Sequence, residues 1–265
     1  RIFNFANSLV GHFKAGLAQV NVLASMVFAG VSGAAVADCA GLGMIEIKAM
    51  RERGYNPEFA AALTVCSAVI GPIIPPSIGL VIYAFLAQQS IERMFLAGLV
   101  PGLLVGLSLM VFNRILATRQ HFPTQEKATR ETVLKTSLDG ILALGAPGII
   151  LGAILFGFVT ATEAGVLACL YTLVLGVLYR SITLKGLYTA LSDTMMMTTI
   201  IMIIIGFSTA MGWLLAIDQV PQHFGNFLFD FTDDKNVFLA LMLVFILLIG
   251  CVVEGVPAKL MLVPM

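Results

Sequence analysis

Charged residues are scarce in this sequence. Aspartate, glutamate, lysine and arginine make up 11% of its 265 residues, whereas soluble domains carry about 25%. Hydrophobic residues make up 59%, and the mean hydropathy is +0.98. A larger buried core does not explain so few charges, so the composition indicates an integral membrane protein. The 15 basic and 15 acidic side chains balance, which gives no reason to expect nucleic acid as a partner.

Residues that usually build enzyme or metal sites are few and dispersed. The cysteines are Cys39, Cys66, Cys169 and Cys251. Most lie in apolar segments and none forms a C-x-x-C pair, so we expect buried thiols and neither disulfides nor metal ligands. The histidines, His12, His121 and His223, are isolated, and no nucleophile–base arrangement is recognisable. A membrane enzyme is therefore the weakest interpretation.

The usual signs of a complete reading frame are missing as well. No initiator methionine and no signal peptide precede Arg1, and residues 263–265 lie inside an apolar segment that has no polar exit. We therefore expect a fragment that lacks both ends of a longer protein.

The longest uncharged run, residues 59–91, is interrupted near its middle. It exceeds the roughly 20 apolar residues that cross a bilayer. Its centre reads Gly71-Pro72-Ile73-Ile74-Pro75-Pro76-Ser77-Ile78-Gly79. Each interior proline costs a helix about 3 kcal/mol or more. We therefore predict a broken transmembrane helix that runs from about Pro57 to Ile70 and resumes near Ser77. The alternative is a structural kink whose freed backbone groups bind neighbouring residues.

Such a break leaves polar backbone groups inside the membrane, where they must contact protein or a wet cavity. The carbonyl end of the first half-helix suits a cation, and the N–H end of the second suits an anion. The free carbonyls would come from residues 68–74. Ser77 can cap the second half-helix or contact a substrate.

Residues 15–45 contain many small side chains, above all at positions 32–35, and one acid, Asp38. This pattern predicts a re-entrant helical hairpin whose tip, Ser32-Gly33, approaches the break and adds a hydroxyl and further carbonyls. One long span with a small-residue packing face is the alternative. Asp38 has two interpretations, a structural role at the hairpin end and a coupling-proton carrier.

The remaining apolar runs predict further spans and an orientation. The spans are 94–113, 140–159, 164–179, 194–217 and 236–253, with Thr162-Glu163 capping the helix that begins at Ala164. If each crosses once, loops 46–58, 114–135 and 180–185 share one side, and their Lys and Arg residues place that side in the cytoplasm. The acidic loop 218–235 then lies outside. The first hairpin is then entered from the cytoplasm and the last segment from outside. A hairpin entered from each face indicates an inverted repeat.

These segments divide the chain into four predicted parts. Residues 1–113 hold the first hairpin, the broken helix and the following span, and residues 114–138 form a cytoplasmic amphipathic connector. Residues 139–217 hold further spans, and residues 218–265 hold the outer loop and the start of a second hairpin. The fold class is thus an all-α integral membrane protein, a multi-span helical bundle.

Several motifs together resemble one known family. They lie at residues 18–26, 32–38, 45–50 and 71–77, and in Thr160-Ala161-Thr162-Glu163-Ala164 and Glu254-Gly255-Val256-Pro257. The combination resembles the large membrane subunit (DctM-like) of tripartite ATP-independent periplasmic (TRAP) transporters. Two positions depart from the family pattern. Ala161 replaces the usual proline, and Ala34 replaces the second serine of the S-G-S hairpin tip.

The resemblance implies an elevator-type, inverted-repeat transporter in the bacterial inner membrane, with loop 218–235 in the periplasm. It implies partnership with a small membrane subunit and a periplasmic solute-binding protein, and no cofactor besides Na⁺ as coupling ion. The implied cation-binding residues are Ser32, Gly33, Gly71, Ile74 and Pro76, with Na⁺ at Ser32, Gly71, Ile74 and Pro76. The residues assigned to substrate are Asn21, Ser25 and Ser77. The second hairpin tip is placed at Glu254, Gly255 and Pro257.

The resulting hypothesis is Na⁺-coupled secondary uptake of an organic anion. A carboxylate such as a C4-dicarboxylate or a sialic-acid-like solute is the expected substrate class. The alternative is a non-coupled channel or a structural scaffold subunit of a membrane complex. Accumulation of solute against its gradient would exclude a channel.

Overall fold

The computed structural model describes residues 2–119, 128–220, 222–223, 225, 234–253 and 255–263. Within these residues the regular structure is entirely helical. The helices are α1 Ile2–Val10, α2 Gly16–Ser32, α3 Ala35–Asp38, α4 Met44–Glu52, α5 Pro57–Ala68, α6 Ile78–Leu86, α7 Ile91–Arg119, α8 Arg130–Leu155, α9 Ala161–Leu178, α10 Leu184–Ile217, α11 Lys235–Gly250 and α12 Gly255–Leu262.

Three helices of the described chain are long and apolar enough to cross a membrane. They comprise Ile91–Ala117, Ala161–Leu178 and Leu184–Ile217. Gly16–Ser32, Gly145–Leu155 and Lys235–Gly250 are apolar but shorter. The prediction of an all-helical, multi-span membrane protein is thereby confirmed at this level.

A sharp reversal follows α2. Gly33 ends the helix in the left-handed region, at φ 61°, and its N–H donates to the Ala29 carbonyl. Ala34 is extended, and α3 then begins and continues through a π-helical segment, Cys39–Gly43, into α4. Glycine suits this turn because it has no Cβ to oppose a positive φ. The chain thus forms a helical hairpin with its tip at 33–34. Its re-entrance into the membrane stays a prediction.

Residues 46–58 do not form the continuous polar loop that the sequence predicts. Helix α4 runs on to Glu52, because one of its faces packs against α5 and buries Met50 to 1% exposure. The predicted start of the next helix at Pro57 is confirmed. Asn56 caps it by accepting the Glu58 N–H at 2.8 Å.

The helix break lies where the prolines predict it. Helix α5 ends at Ala68 and α6 begins at Ile78, with turns and bends between them and a cis peptide bond between Pro75 and Pro76. The second half-helix ends before the uncharged run 59–91 does. It ends at Leu86, and the chain turns through Gln88, at φ 50°, before α7 starts at Ile91.

Several later helices extend beyond their predicted limits. Helix α7 continues past residue 113, and α8 begins at Arg130 inside the predicted connector. Helix α10 starts at Leu184, ten residues before the predicted 194, because Thr183 caps it by accepting the Gly186 N–H. Helix α9 starts at Ala161. Thr160 is its N-cap and Glu163 closes a capping box, so the predicted cap at Thr162 was wrong.

The described helices belong to two compact units. The first comprises residues 1–81 and 90–181, with a core formed by α2 and the helices packed on it. The second comprises residues 82–89 and 182–265, where α12 packs against α10 and α11. The hairpin tip and the helix break both belong to the first unit.

Candidate functional site

The hairpin tip lies against the restart of the broken helix. A methyl group added at Gly33 would lie 3.1 Å from the Pro76 carbonyl oxygen and 3.3 Å from the Ser77 Cα. At Gly30, one turn earlier, the added methyl would lie 3.7 Å from the Pro75 carbonyl oxygen. The small side chains of the tip therefore allow its backbone to contact the carbonyls of the break, and the structure brings Gly33 and Pro76 together.

A buried carboxylate lies beside the same tip. Asp38 is 2% exposed and accepts a hydrogen bond from the Ser32 hydroxyl. Its Oδ2 atom has no hydrogen-bond partner among the described residues. A methyl group at Gly71 would lie 2.8 Å from this oxygen and 3.3 Å from the Ala34 carbonyl carbon. Asp38 thus directs a free carboxylate oxygen at the end of the first half-helix.

These groups bring several oxygen atoms and negative partial charge to the helix break. The carbonyl oxygens of Gly71 and Ile74 receive no hydrogen bond from the described residues, whereas that of Pro72 accepts the Ser77 hydroxyl at 2.7 Å. The C-terminal end of a helix carries about half a negative charge. Carbonyl and carboxylate oxygens are hard ligands, which hard cations prefer. Within the described chain no three His, Cys, Asp or Glu residues cluster as for a transition metal.

Ser77 lies at the start of the second half-helix. It is 2% exposed, and its hydroxyl accepts the Leu80 N–H at 3.3 Å while donating to Pro72. The side chain therefore caps α6 and holds both ends of the break together. Contact of Ser77 with a substrate stays a prediction.

Asn21 and Ser25, both assigned to substrate from sequence, have partners inside the protein. The Asn21 amide donates to the Thr64 hydroxyl at 2.7 Å and accepts from the Ser67 hydroxyl at 2.8 Å. Ser25 donates to Ser67 at 3.0 Å. These side chains are all at most 2% exposed: Asn21, Ser25, Thr64 and Ser67. They form a polar network that joins α2 to α5, next to the break, and their contact with substrate stays a prediction.

Glu46 is a buried acid that the sequence reading missed. It is 1% exposed, and neither carboxylate oxygen has a hydrogen-bond partner among the described residues. It lies outside the segments predicted to cross the membrane, on α4. Residues four apart share a helix face, so its spacing from the apolar Met50 could have indicated an inward-facing acid. Burial raises the pKa of the Glu46 carboxyl from 4.5 to about 8, and the negative charge of Asp38 adds to the rise.

We expect Glu46 to make the protein less stable as the pH rises. Between pH 4.5 and about 8 the unfolded chain releases a proton that the folded chain retains, so the free energy of unfolding falls with increasing pH. Glu46→Gln should flatten this dependence and raise the melting temperature near pH 8, with little effect near pH 4.5. Thermal unfolding in detergent, followed across this pH range, measures the melting temperatures of the wild-type and Glu46→Gln proteins.

Glu52→Gln is the matched control for this pH dependence. Glu52 lies on the same helix, but its side chain is 66% exposed and its ion pair with Lys48 is 4.0 Å long. A surface pair of this kind contributes little to stability. Equal pH profiles for wild-type and Glu46→Gln proteins would contradict the assignment.

Of the predicted second hairpin tip, Gly255 and Pro257 belong to the helix α12. Gly255 is exposed, and a methyl group there would meet no atom of the described residues within 4 Å. Glu254 lies outside the described residues. The role of all three as a hairpin tip stays a prediction.

Comparison with known proteins identifies the family of this chain. The profile of "Tripartite ATP-independent periplasmic transporter, DctM component" matches residues 1–265. The sialic acid TRAP transporter large permease protein SiaM of Vibrio cholerae is 41% identical over 265 residues, which cover 100% of this chain and 62% of that protein. The sialic acid TRAP transporter permease protein SiaT of Haemophilus influenzae is 35% identical, and the match covers 100% of this chain and 43% of that protein.

Two further relatives carry different substrate names. The 2,3-diketo-L-gulonate TRAP transporter large permease protein YiaN of Escherichia coli is 36% identical, with 100% of this chain and 62% of that protein covered. The isethionate TRAP transporter permease protein DctMQ of Oleidesulfovibrio alaskensis is 32% identical, and the match covers 100% of this chain and 42% of that protein. The chain thus spans about three fifths or less of these relatives, which are transporter permeases, not enzymes. Because the family profile matches its whole length, the chain belongs to the DctM component family of TRAP transporter large permeases.

Proposed function

We propose that this protein is the large membrane subunit of a TRAP system that couples inward movement of Na⁺ to uptake of an organic anion. The observation that carries the proposal is the meeting of the Gly33 tip with the carbonyls of the broken helix, beside the buried carboxylate of Asp38. Membership of the DctM family supports the transport role.

In the proposed site, the backbone oxygens of Gly71, Ile74 and Pro76 hold Na⁺, together with Ser32 at the hairpin tip. Asp38 raises the negative potential there, since its Oδ2 oxygen is directed at Gly71. A bound cation would bridge the tip and the break. It would offset the buried negative charge, which is costly without a partner.

The anion is proposed to bind near the N-terminal end of α6, where Ser77 caps the helix. Helix N-termini attract anions, and a cation bound nearby strengthens that attraction. Relatives named for sialic acid, 2,3-diketo-L-gulonate and isethionate support an organic anion as the class of substrate. For Asn21 and Ser25, contact with this anion requires their network with Ser67 to open.

The proposed assembly includes a small membrane subunit and a periplasmic solute-binding protein in the inner membrane. Residues 46–58, 114–135 and 180–185 are proposed to face the cytoplasm, and residues 218–235 the periplasm. The transport domain, which contains the hairpin and the break, is proposed to move as an elevator.

Uptake into proteoliposomes tests the coupling. The full-length protein, with its binding protein and small subunit, should accumulate a sialic acid or another organic anion against its gradient when Na⁺ is outside. Replacing Na⁺ with K⁺ should remove accumulation. An unchanged rate in K⁺ would contradict coupling, and equilibration without accumulation in Na⁺ would favour a channel.

The prolines of the break should set the affinity for Na⁺. We expect Pro75→Ala with Pro76→Ala to raise the Na⁺ concentration for half-maximal uptake about tenfold, equivalent to about 1.4 kcal/mol. The reason is that alanine lets the helix continue and withdraws carbonyls from the site. Pro101→Ala is the control, because Pro101 lies inside α7 on an exposed face. An unaltered Na⁺ dependence in the double variant would favour a merely structural break.

A further inference from the structure

A cavity of about 370 Å³ lies in the first unit, away from the helix break. It is bounded by the turn that joins α1 to α2 and by the C-terminal part of α7. Two hydrogen bonds hold these walls together. Gln19 Nε2 donates to the Met110 carbonyl at 2.9 Å, and Asn113 Nδ2 donates to the Ala18 carbonyl at 3.2 Å. Known ligand pockets have volumes of about 300–1,000 Å³.

Two basic side chains line the cavity. Lys14 and Arg114 both line it and both are exposed. Among the described residues no acid lines the cavity, and neither cation has a salt bridge to any of them. These two charges are therefore available to an anionic group that would lie between the α1–α2 turn and α7.

Two buried polar atoms at the same cavity lack partners. Gln19 is 3% exposed, and its Oε1 atom has no hydrogen-bond partner among the described residues. The same holds for the Nδ1 atom of His12, which also lines the cavity. Burying a polar group without a hydrogen-bond partner is unfavourable. A ligand with a hydroxyl donor beside its anionic group would satisfy Gln19.

The other walls are apolar and open. Leu107 and Val111 are 54% and 58% exposed, lie one turn apart on α7, and face the cavity together with Phe13. From Leu107 to Arg114 the helix rises about 10 Å. The cavity therefore combines an apolar strip on a membrane-spanning helix with two basic side chains.

We propose that this cavity binds one anionic phospholipid. The phosphate group contacts Lys14 and Arg114, a headgroup hydroxyl donates to Gln19 Oε1, and an acyl chain follows Leu107 and Val111. Basic pockets between membrane helices suit anionic headgroups in this way. The proposal does not depend on Na⁺ coupling. Its consequence is that the lipid connects the α1–α2 turn to α7.

Native mass spectrometry of the full-length protein in detergent tests this. Dioleoyl phosphatidylglycerol should bind, and dioleoyl phosphatidylcholine, which has the same chains, should bind much more weakly. Lys14→Gln or Arg114→Gln should each weaken phosphatidylglycerol binding about fivefold, and the pair about thirtyfold. Lys48→Gln with Arg51→Gln, which removes two exposed charges from α4, should leave binding unchanged.

A second variant and a soluble headgroup distinguish a lipid from a free phosphate. Leu107→Trp should fill the apolar wall and weaken phosphatidylglycerol binding while both cations remain. Glycerol 3-phosphate alone should not displace the lipid at equal concentration. Equal binding of phosphatidylcholine, full binding by the Lys14→Gln/Arg114→Gln variant, or displacement by glycerol 3-phosphate would each overturn the proposal.

Discussion

Replacing Gly33 with valine is expected to reduce Na⁺-dependent uptake about 100-fold, since a misplacement of about 1 Å at a site can cost that much. The first added carbon would lie 3.1 Å from the Pro76 carbonyl oxygen and 3.3 Å from the Ile78 nitrogen, and these are backbone atoms that cannot rotate away. The hairpin tip would then move off the break. Uptake of radiolabelled substrate into proteoliposomes measures the loss.

Gly54→Val controls for backbone strain in this experiment. Gly54 also has a positive φ, 82°, but a methyl group there would meet no atom within 4 Å. Both variants should lose about 1–2 kcal/mol of stability from the left-handed conformation. Only Gly33→Val should lose Na⁺-dependent uptake. Retained uptake in Gly33→Val, with the protein folded, would contradict the proposed contact between tip and break.

Replacing Asn21 with leucine is expected to lower the free energy of unfolding by about 3 kcal/mol, because each unsatisfied buried group costs about 1–3 kcal/mol. The substitution removes the bonds to Thr64 and Ser67, at 2.7 and 2.8 Å, and leaves buried hydroxyls short of a partner. The α2–α5 contact beside the break would loosen. Thermal unfolding in detergent, followed by circular dichroism, measures the effect.

Ser108→Ala is the control for the loss of a hydrogen bond. The Ser108 hydroxyl donates to the Val105 carbonyl at 2.8 Å on an exposed face of α7, so its removal should change stability by less than about 0.5 kcal/mol. A stable Asn21→Leu protein with weakened substrate binding would support the substrate role of Asn21. A large loss of stability would instead show that Asn21 acts through the helix contact.

The sequence predicted features that depend on local chemistry. Three prolines in the stretch 72–76 stop a helix in any surroundings, and the break lies there. Asn56-Pro57 begins α5 as predicted, because capping and proline geometry involve only neighbouring residues. The hairpin tip predicted at Ser32-Gly33 also depends on local chemistry, because glycine permits the left-handed turn found at Gly33.

Features that depend on packing were predicted less well. The polar sequence of residues 46–58 predicts a loop, yet the contact of helix α4 with α5 buries Met50 and, with it, Glu46. The hydrogen-bond network around Ser67 could not be predicted from the sequence either. Its members lie on two helices, and the bonded residues are 42–46 positions apart in the chain. Hydropathy records how apolar a residue is and not which face of a helix meets a neighbour.

The sequence by itself determined that this is a helical membrane protein with a broken helix and a small-residue tip, because both depend on residues next to one another. Only the tertiary structure decided that Gly33 lies against Pro76, that Asp38 faces Gly71, and that Ser67 joins Asn21 to Ser25. The physical reason is that an oxygen site requires backbone groups from distant segments to lie within a few ångströms. Local propensity cannot specify such distances, whereas the packing of α2 against α5 and α7 does.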